Sequence, residues 1–171
     1  IGGGAGNNLS GDSNKNVFTG GAGNDTFTGR GNDDTYIFAD GYVNDTVVEN
    51  ASEGNDTLDF TRATLALTFT FNGATVTIVQ GAHTVTHVGN NVENYIGGAA
   101  GDTFYVKTTQ AQITILRGDA GNDTFKFDHA VQLTNALSKI DGEAGADTLD
   151  YLAYTTSVTV NLLLGSAMNL N

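Results

Sequence analysis

The sequence predicts an all-β chain wound as a right-handed parallel solenoid, a β-roll or β-helix. Three observations carry that expectation: the composition, a nine-residue period near the start, and a longer period above it. The 171 residues include 23 Gly but no Pro, Cys or Trp. All but four of the 19 acidic residues are Asp, a poor helix former and a good turn residue. Val, Thr, Ile, Phe and Tyr supply strand formers. The mixture reads as many short strands joined by Gly/Asn/Asp turns.

The short period comes first. Leu9, Phe18, Phe27 and Tyr36 are spaced nine apart. Two residues before them stand Asn7, Asn16, Asp25 and Asp34, and seven before them Gly2, Gly11, Gly20 and Gly29. Glycines allow six residues to reverse the chain tightly. The three residues after the acid then form a strand whose central side chain faces away from its neighbours. Phe27 and Tyr36 should therefore point inward, and Thr26, Thr28 and Thr35 outward. Each nonapeptide is half a coil, a turn followed by a strand.

Partial copies follow at Gly97-Gly98-Ala99-Ala100-Gly101-Asp102, Gly118-Asp119-Ala120-Gly121-Asn122-Asp123 and Gly142-Glu143-Ala144-Gly145-Ala146-Asp147. Shorter echoes begin at Asp45 and Asp56. Above these, Ile1-Gly2-Gly3 returns as Ile96-Gly97-Gly98, and 54–60 returns as 145–151. The expectation is one module over 1–95 and a second, incomplete one over 96–171. Strand alternation is expected at 67–71, 75–79, 83–88, 104–106, 112–116 and 158–162. Residues 130–140 carry apolar positions that fit either a short helix or a long loop. The chain begins inside a Gly-rich repeat, which reads as a fragment of a longer protein.

The chemistry follows from the stacking. Strands lie ~4.8 Å apart, so equivalent turns of successive coils pile up. Two such turns offer six or more carbonyl and carboxylate oxygens, the donor set of Ca²⁺, which accepts six to eight at ~2.3–2.6 Å in loose geometry. With no Cys, thiolate metal sites are excluded. His83 and His87 lie four apart in a strand pattern, too far apart to share an ion. No helix-opening lysine follows the Gly clusters, against a phosphate cradle, and no G-x-S-x-G elbow is present. The expected chain is not an enzyme. Its net charge of −12 argues against nucleic acid and an anionic membrane face, and no apolar run is long enough for a helical membrane span.

Gly20-Gly21-Ala22-Gly23-Asn24-Asp25-Thr26-Phe27-Thr28 fits the calcium-binding nonapeptide G-G-x-G-x-D-x-U-x at every specified position. Here the chain resembles the β-roll of the repeats-in-toxin family, found in secreted bacterial toxins, proteases, lipases and large adhesins. The resemblance covers 2–37 strongly and 96–150 moderately; 63–94 and 151–171 fit only as strands wound onto the same solenoid. It implies stacking of turns two repeats apart, with Asp25 facing Asn7 and Asp34 facing Asn16. The implied calcium ligands are Asn7, Asn16, Gly20, Ala22, Asn24, Asp25, Gly29, Gly31, Asp34, Asp45, Asp56, Asp102, Gly118, Ala120, Asn122, Asp123 and Asp147. Counting adequate turns gives about four to seven ions.

The function expected first is a calcium-rigidified structural module of a secreted or cell-surface adhesin, matrix or fibre-forming protein. Its partners would be calcium ions and neighbouring repeats or copies of itself. The alternative is a type I secretion and folding module of a secreted enzyme or toxin. A third expectation, a face for ice or glycan, needs rows of outward Thr; position nine supplies only Ser10, Thr19, Thr28 and Ile37.

Overall fold

The structure, a computed structural model, describes residues 1–51, 53–89 and 91–157. The strand expected at 158–162 lies outside them. The described chain is all-β, with no helix and two mostly parallel sheets, an arrangement consistent with a β-roll. Its strands alternate between the sheets. The first sheet holds β1 (Asn8–Ser10), β3 (Thr26–Thr28), β5 (Asn44–Val48), β11 (Thr103–Val106), β13 (Thr124–Phe127) and β15 (Thr148–Asp150). The second holds β2 (Val17–Phe18), β4 (Thr35–Ala39), β6 (Thr57–Arg62), β10 (Asn94–Ile96), β12 (Ile115–Arg117) and β14 (Lys139–Asp141). The register is the one the nonapeptide demands, Leu9 beside Phe27 and Phe18 beside Tyr36.

Alternation puts one residue in two inside. In the second sheet Phe18, Tyr36, Leu58, Tyr95, Leu116 and Ile140 form one inward ladder, rung on rung. Aromatic rings stack along both sheets: Phe18 on Tyr36 at 5.1 Å, Phe38 on Phe60 at 4.7 Å, and Phe69 on Phe104 at 4.3 Å between centroids. Each such buried side chain contributes about 1.5–3 kcal/mol relative to exposure. This ladder is what holds successive turns in line.

The segment 63–94 departs from the expected winding. Instead of alternating between sheets, β7 (Thr68–Asn72), β8 (Thr75–Gln80) and β9 (His83–Val88) form an antiparallel meander wholly within the first sheet. Its outer strands pair in parallel with β5 and β11. The cause is local. Gly73-Ala74 and Gly81-Ala82 are two-residue loops with Gly first at φ +63° and +60°, the geometry of a tight hairpin. In the second sheet β6 pairs directly with β10, so the meander adds rungs on one side only. The boundary expected between residues 95 and 96 falls inside β10.

Residues 130–138 take the loop alternative. Ala130 has a positive φ of 62°, which interrupts any helix. Main-chain bonds from Gln110 to Gln132 and from Thr134 to Gln110 lay the segment on the layer below.

Candidate metal centre

Every strand-opening acid uses its two oxygens differently. Ahead of the first sheet, Asp25 Oδ1 accepts the Asn7 N–H at 2.7 Å and Asp45 Oδ1 accepts the Asp25 N–H at 2.8 Å. Above the meander the pattern resumes: Asp102 takes the Leu67 N–H, Asp123 the Asp102 N–H and Asp147 the Asp123 N–H, at 2.7–2.9 Å. Ahead of the second sheet, Asp34 takes Asn16, Asp56 takes Asp34, and Glu93 takes Asp56, at 2.7–2.8 Å. The stacking expected of Asp25 with Asn7, and of Asp34 with Asn16, is present. One oxygen of each carboxylate thus clamps its turn to the preceding layer.

The other oxygen is left over. Oδ2 of Asp25, Asp34, Asp56, Asp123 and Asp147 is buried without a hydrogen-bond partner. Leaving one buried acceptor unpaired costs about 1–3 kcal/mol, more when it is charged. Asp102 differs, its Oδ2 accepting the Gly98 N–H at 2.7 Å. In the first layer Asn7 and Asn16 likewise accept N–H groups of their own turns, from Gly3 and Asp12.

The glycines make room for these oxygens. A Cβ at Gly20, Gly118 or Gly142 would collide with Oδ2 of Asp25, Asp123 or Asp147 respectively. Carbonyl oxygens press between layers in the same places. Those of Gly20, Asn24 and Gly29 lie against Gly2, Gly6 and Gly11, and those of Gly118 and Asn122 against Gly97 and Gly101. Ala120 donates its N–H to Gly98 and bridges to Ala144, Gly31 donates to the Asp12 carbonyl at 3.4 Å, and Ala22 lines a cavity with Gly20, Tyr42 and Asp45. Loss of the second glycine of the motif does not unmake the turn. Arg30, Asp119 and Glu143 adopt at that position the positive φ that Gly21 has, 63–79° against 90°.

The densest group is Asp34, Glu49 and Asp56. All three are buried, with one oxygen from each within 4.8 Å of the others, and it is the one such cluster among the described residues. Tyr36 donates its phenol proton to Glu49 Oε1, while Oε2 has no partner. Burial pushes Glu49 up to about 8 and Asp56 up to about 7, the latter raised further by Glu93 and Asp34; burial also raises Asp34. Three desolvated carboxylates this close cannot all ionise unless a cation neutralises them. Elsewhere burial raises Asp123 to about 7, and Asp45 and Asp102 to about 6.

The expected ligands thus fall into three sets. Asn7, Asp25 and Asp45 form one column; Asp102, Asp123 and Asp147 form a second beyond the meander, offset by two residues because the register carries Asp45 to Phe104; Asn16, Asp34 and Asp56 form the third, which runs on to Glu93. Glu49 and Glu93 were not among the expected ligands. Both had a signal. Glu49 holds the inward phase of Asp45-Thr46-Val47-Val48-Glu49, and Glu93-Asn94-Tyr95 repeats the acid–polar–apolar pattern of Asp34-Thr35-Tyr36. The histidines stay apart from these columns. His87 is buried, its Nδ1 3.1 Å from the Val47 carbonyl and its pKa lowered by burial, whereas His83 packs on Tyr42.

A donor set of carboxylates and carbonyls suits a hard cation. No family model, no curated protein and no solved structure matches the chain.

Proposed function

We propose that the chain is a calcium-binding β-roll of the repeats-in-toxin kind, serving as a structural module of a secreted or cell-surface adhesin, matrix or fibre-forming protein. The observation that carries this reading is the recurrence of a buried, unpartnered Asp oxygen beside a glycine in successive layers. Calcium tolerates the irregular mixture of carboxylate and carbonyl oxygens such turns offer, whereas Mg²⁺ demands a near-ideal octahedron and keeps its waters. The Asp34–Glu49–Asp56 cluster would carry the strongest of the sites, having three carboxylates where the first-layer turns have amides.

The ion would act as a fold-completing ligand rather than a catalyst. Without it the columns of like charge repel, and with it each site at ~1,000 times its dissociation constant adds ~4 kcal/mol. The same repulsion supports the second reading, a secretion module that stays unfolded where calcium is scarce and folds outside the cell. Circular dichroism in EGTA tests the shared core. Most of the β signal should be lost on chelation and restored by calcium but poorly by magnesium; a spectrum indifferent to both ions contradicts the proposal.

A further inference from the structure

The outward face of the first sheet carries a pattern that calcium binding does not use. Thr26, Thr46, Thr86, Thr77 and Thr70 stand side by side on five consecutive rungs, β3, β5, β9, β8 and β7. Beside them a second file runs Thr84, Val79, Thr68, Thr103 and Thr124, ending at Thr148. On the other flank are Thr28 beside Val48, then Val88, Thr75 and Asn72. Position nine of the nonapeptide gives only a fragment of this array. The meander completes it by adding strands that each read Thr-x-Thr.

Cross-strand threonines often serve only to stabilise a sheet through hydrogen bonds and packing. Here the hydroxyls behave otherwise. Thr61, Thr64 and Thr134 bond to Asp59, Asp40 and the Gln110 carbonyl, but among the described residues none of the file threonines does so. Val48, Val79 and Val88, exposed at 37%, 36% and 62%, stand in the same files. From β3 to β7 the three files are Thr, Val or Asn throughout, in a chain of formal charge −12. Charge returns on the next rung with Lys107, whose ammonium lies 5.2 Å from the Tyr105 ring centre, and then with Lys126 and Asp150.

The geometry points to this face as a binding surface for crystalline water. A two-dimensional array needs a partner with a two-dimensional repeat. Its spacing is ~4.8 Å between rungs and about 6.8 Å between alternate residues of a strand, close to the prism-face repeats of hexagonal ice. The absence of charge disfavours an ionic mineral. The absence of an aromatic residue from the outward positions of the five central rungs disfavours stacked sugar rings. Methyl groups order water over them, and each free hydroxyl offers one donor and two acceptor positions to fix that layer.

The test is thermal hysteresis and ice-recrystallisation inhibition on the folded, calcium-containing protein, with circular dichroism confirming the fold. The parent protein should show both activities. The double variant Thr77→Lys/Thr86→Lys should fall to buffer level with an unchanged spectrum, and Thr35→Lys, on the outward side of the second sheet, should retain full activity. A second pair, Thr77→Val/Thr86→Val, keeps shape and removes hydroxyls; partial loss is expected. A folded parent with no activity overturns the proposal, as does equal loss in Thr35→Lys. So does binding to insoluble cellulose or chitin, or self-association in sedimentation, that the face variants abolish while ice activity is absent.

Discussion

Asp123 joins three layers at one point. Its backbone N–H donates to Asp147 Oδ1 at 2.9 Å, while its own Oδ1 accepts the Asp102 N–H at 2.7 Å. Its Oδ2 is buried, unpartnered and pressed toward Gly118. One side chain thus fixes the stacking and presents the oxygen proposed to ligate an ion.

Asp123→Ala removes both roles. In calcium it should lower stability by about 1–3 kcal/mol through the unpaired Asp102 N–H alone, and abolish at least one calcium site. In metal-free buffer at pH 8 the loss should be smaller, because a desolvated charge has gone as well. Calorimetric titration and melting with and without EGTA measure both. Asn7→Ala, in a layer whose amide oxygen bonds its own turn, should weaken calcium binding less than Asp25→Ala.

Glycine substitutions separate close approach from mere flexibility. Gly118→Ala places a methyl group on Asp123 Oδ2 and should destabilise by about 1–3 kcal/mol, as overpacking does. Gly3→Ala has nothing within 4 Å of its added carbon and should stay within about 0.5 kcal/mol. Thermal melts in calcium decide between them.

The pH dependence has a definite sign. Glu49 is raised to about 8, Asp56 and Asp123 to about 7, and Asp45 and Asp102 to about 6, against about 4 in an unfolded chain. The metal-free folded state therefore binds more protons than the unfolded one between about pH 4 and pH 8. Its stability is fully present at the acid end of that window and falls as pH rises. Metal-free protein should melt higher at pH 5 than at pH 8, and calcium affinity should run the other way, weaker at pH 5. Melts and calcium titrations at the two values check this; a metal-free form more stable at pH 8 contradicts it.

The meander should depend least on calcium. From Asp45 the register runs through Val85, Ile78 and Phe69 to Phe104, while Asp102 rests on Leu67; all of these partners are buried apolar residues. Local hairpin contacts and an apolar interior need no ion. In EGTA, hydrogen exchange should find the amides of β7, β8 and β9 protected longest; protection lost there first would contradict this.

Much of this was legible in the sequence because one period governs it. Spacing of nine placed Phe27 and Tyr36 inward, and the family resemblance implied the stacking of Asp25 on Asn7. Where the period breaks, reading failed for physical reasons. Residues 63–94 alternate as strands in either winding, and only the Gly73-Ala74 and Gly81-Ala82 loops distinguish a meander from another coil. Glu49 lies after a strand rather than before one, so a motif keyed to strand-opening acids passes over it, although its inward phase marks it. The turns at Asp119 and Glu143 are only partial copies of the motif in sequence, yet both residues take the left-handed backbone the turn requires.

The most direct measurement is anomalous diffraction from crystals grown in calcium, read beside the unpartnered oxygens. Calcium peaks are expected between stacked turns next to Asp25, Asp123 and Asp147, with one shared by Asp34, Glu49 and Asp56. Stacked turns with no anomalous density at any of these oxygens would contradict the proposed calcium sites.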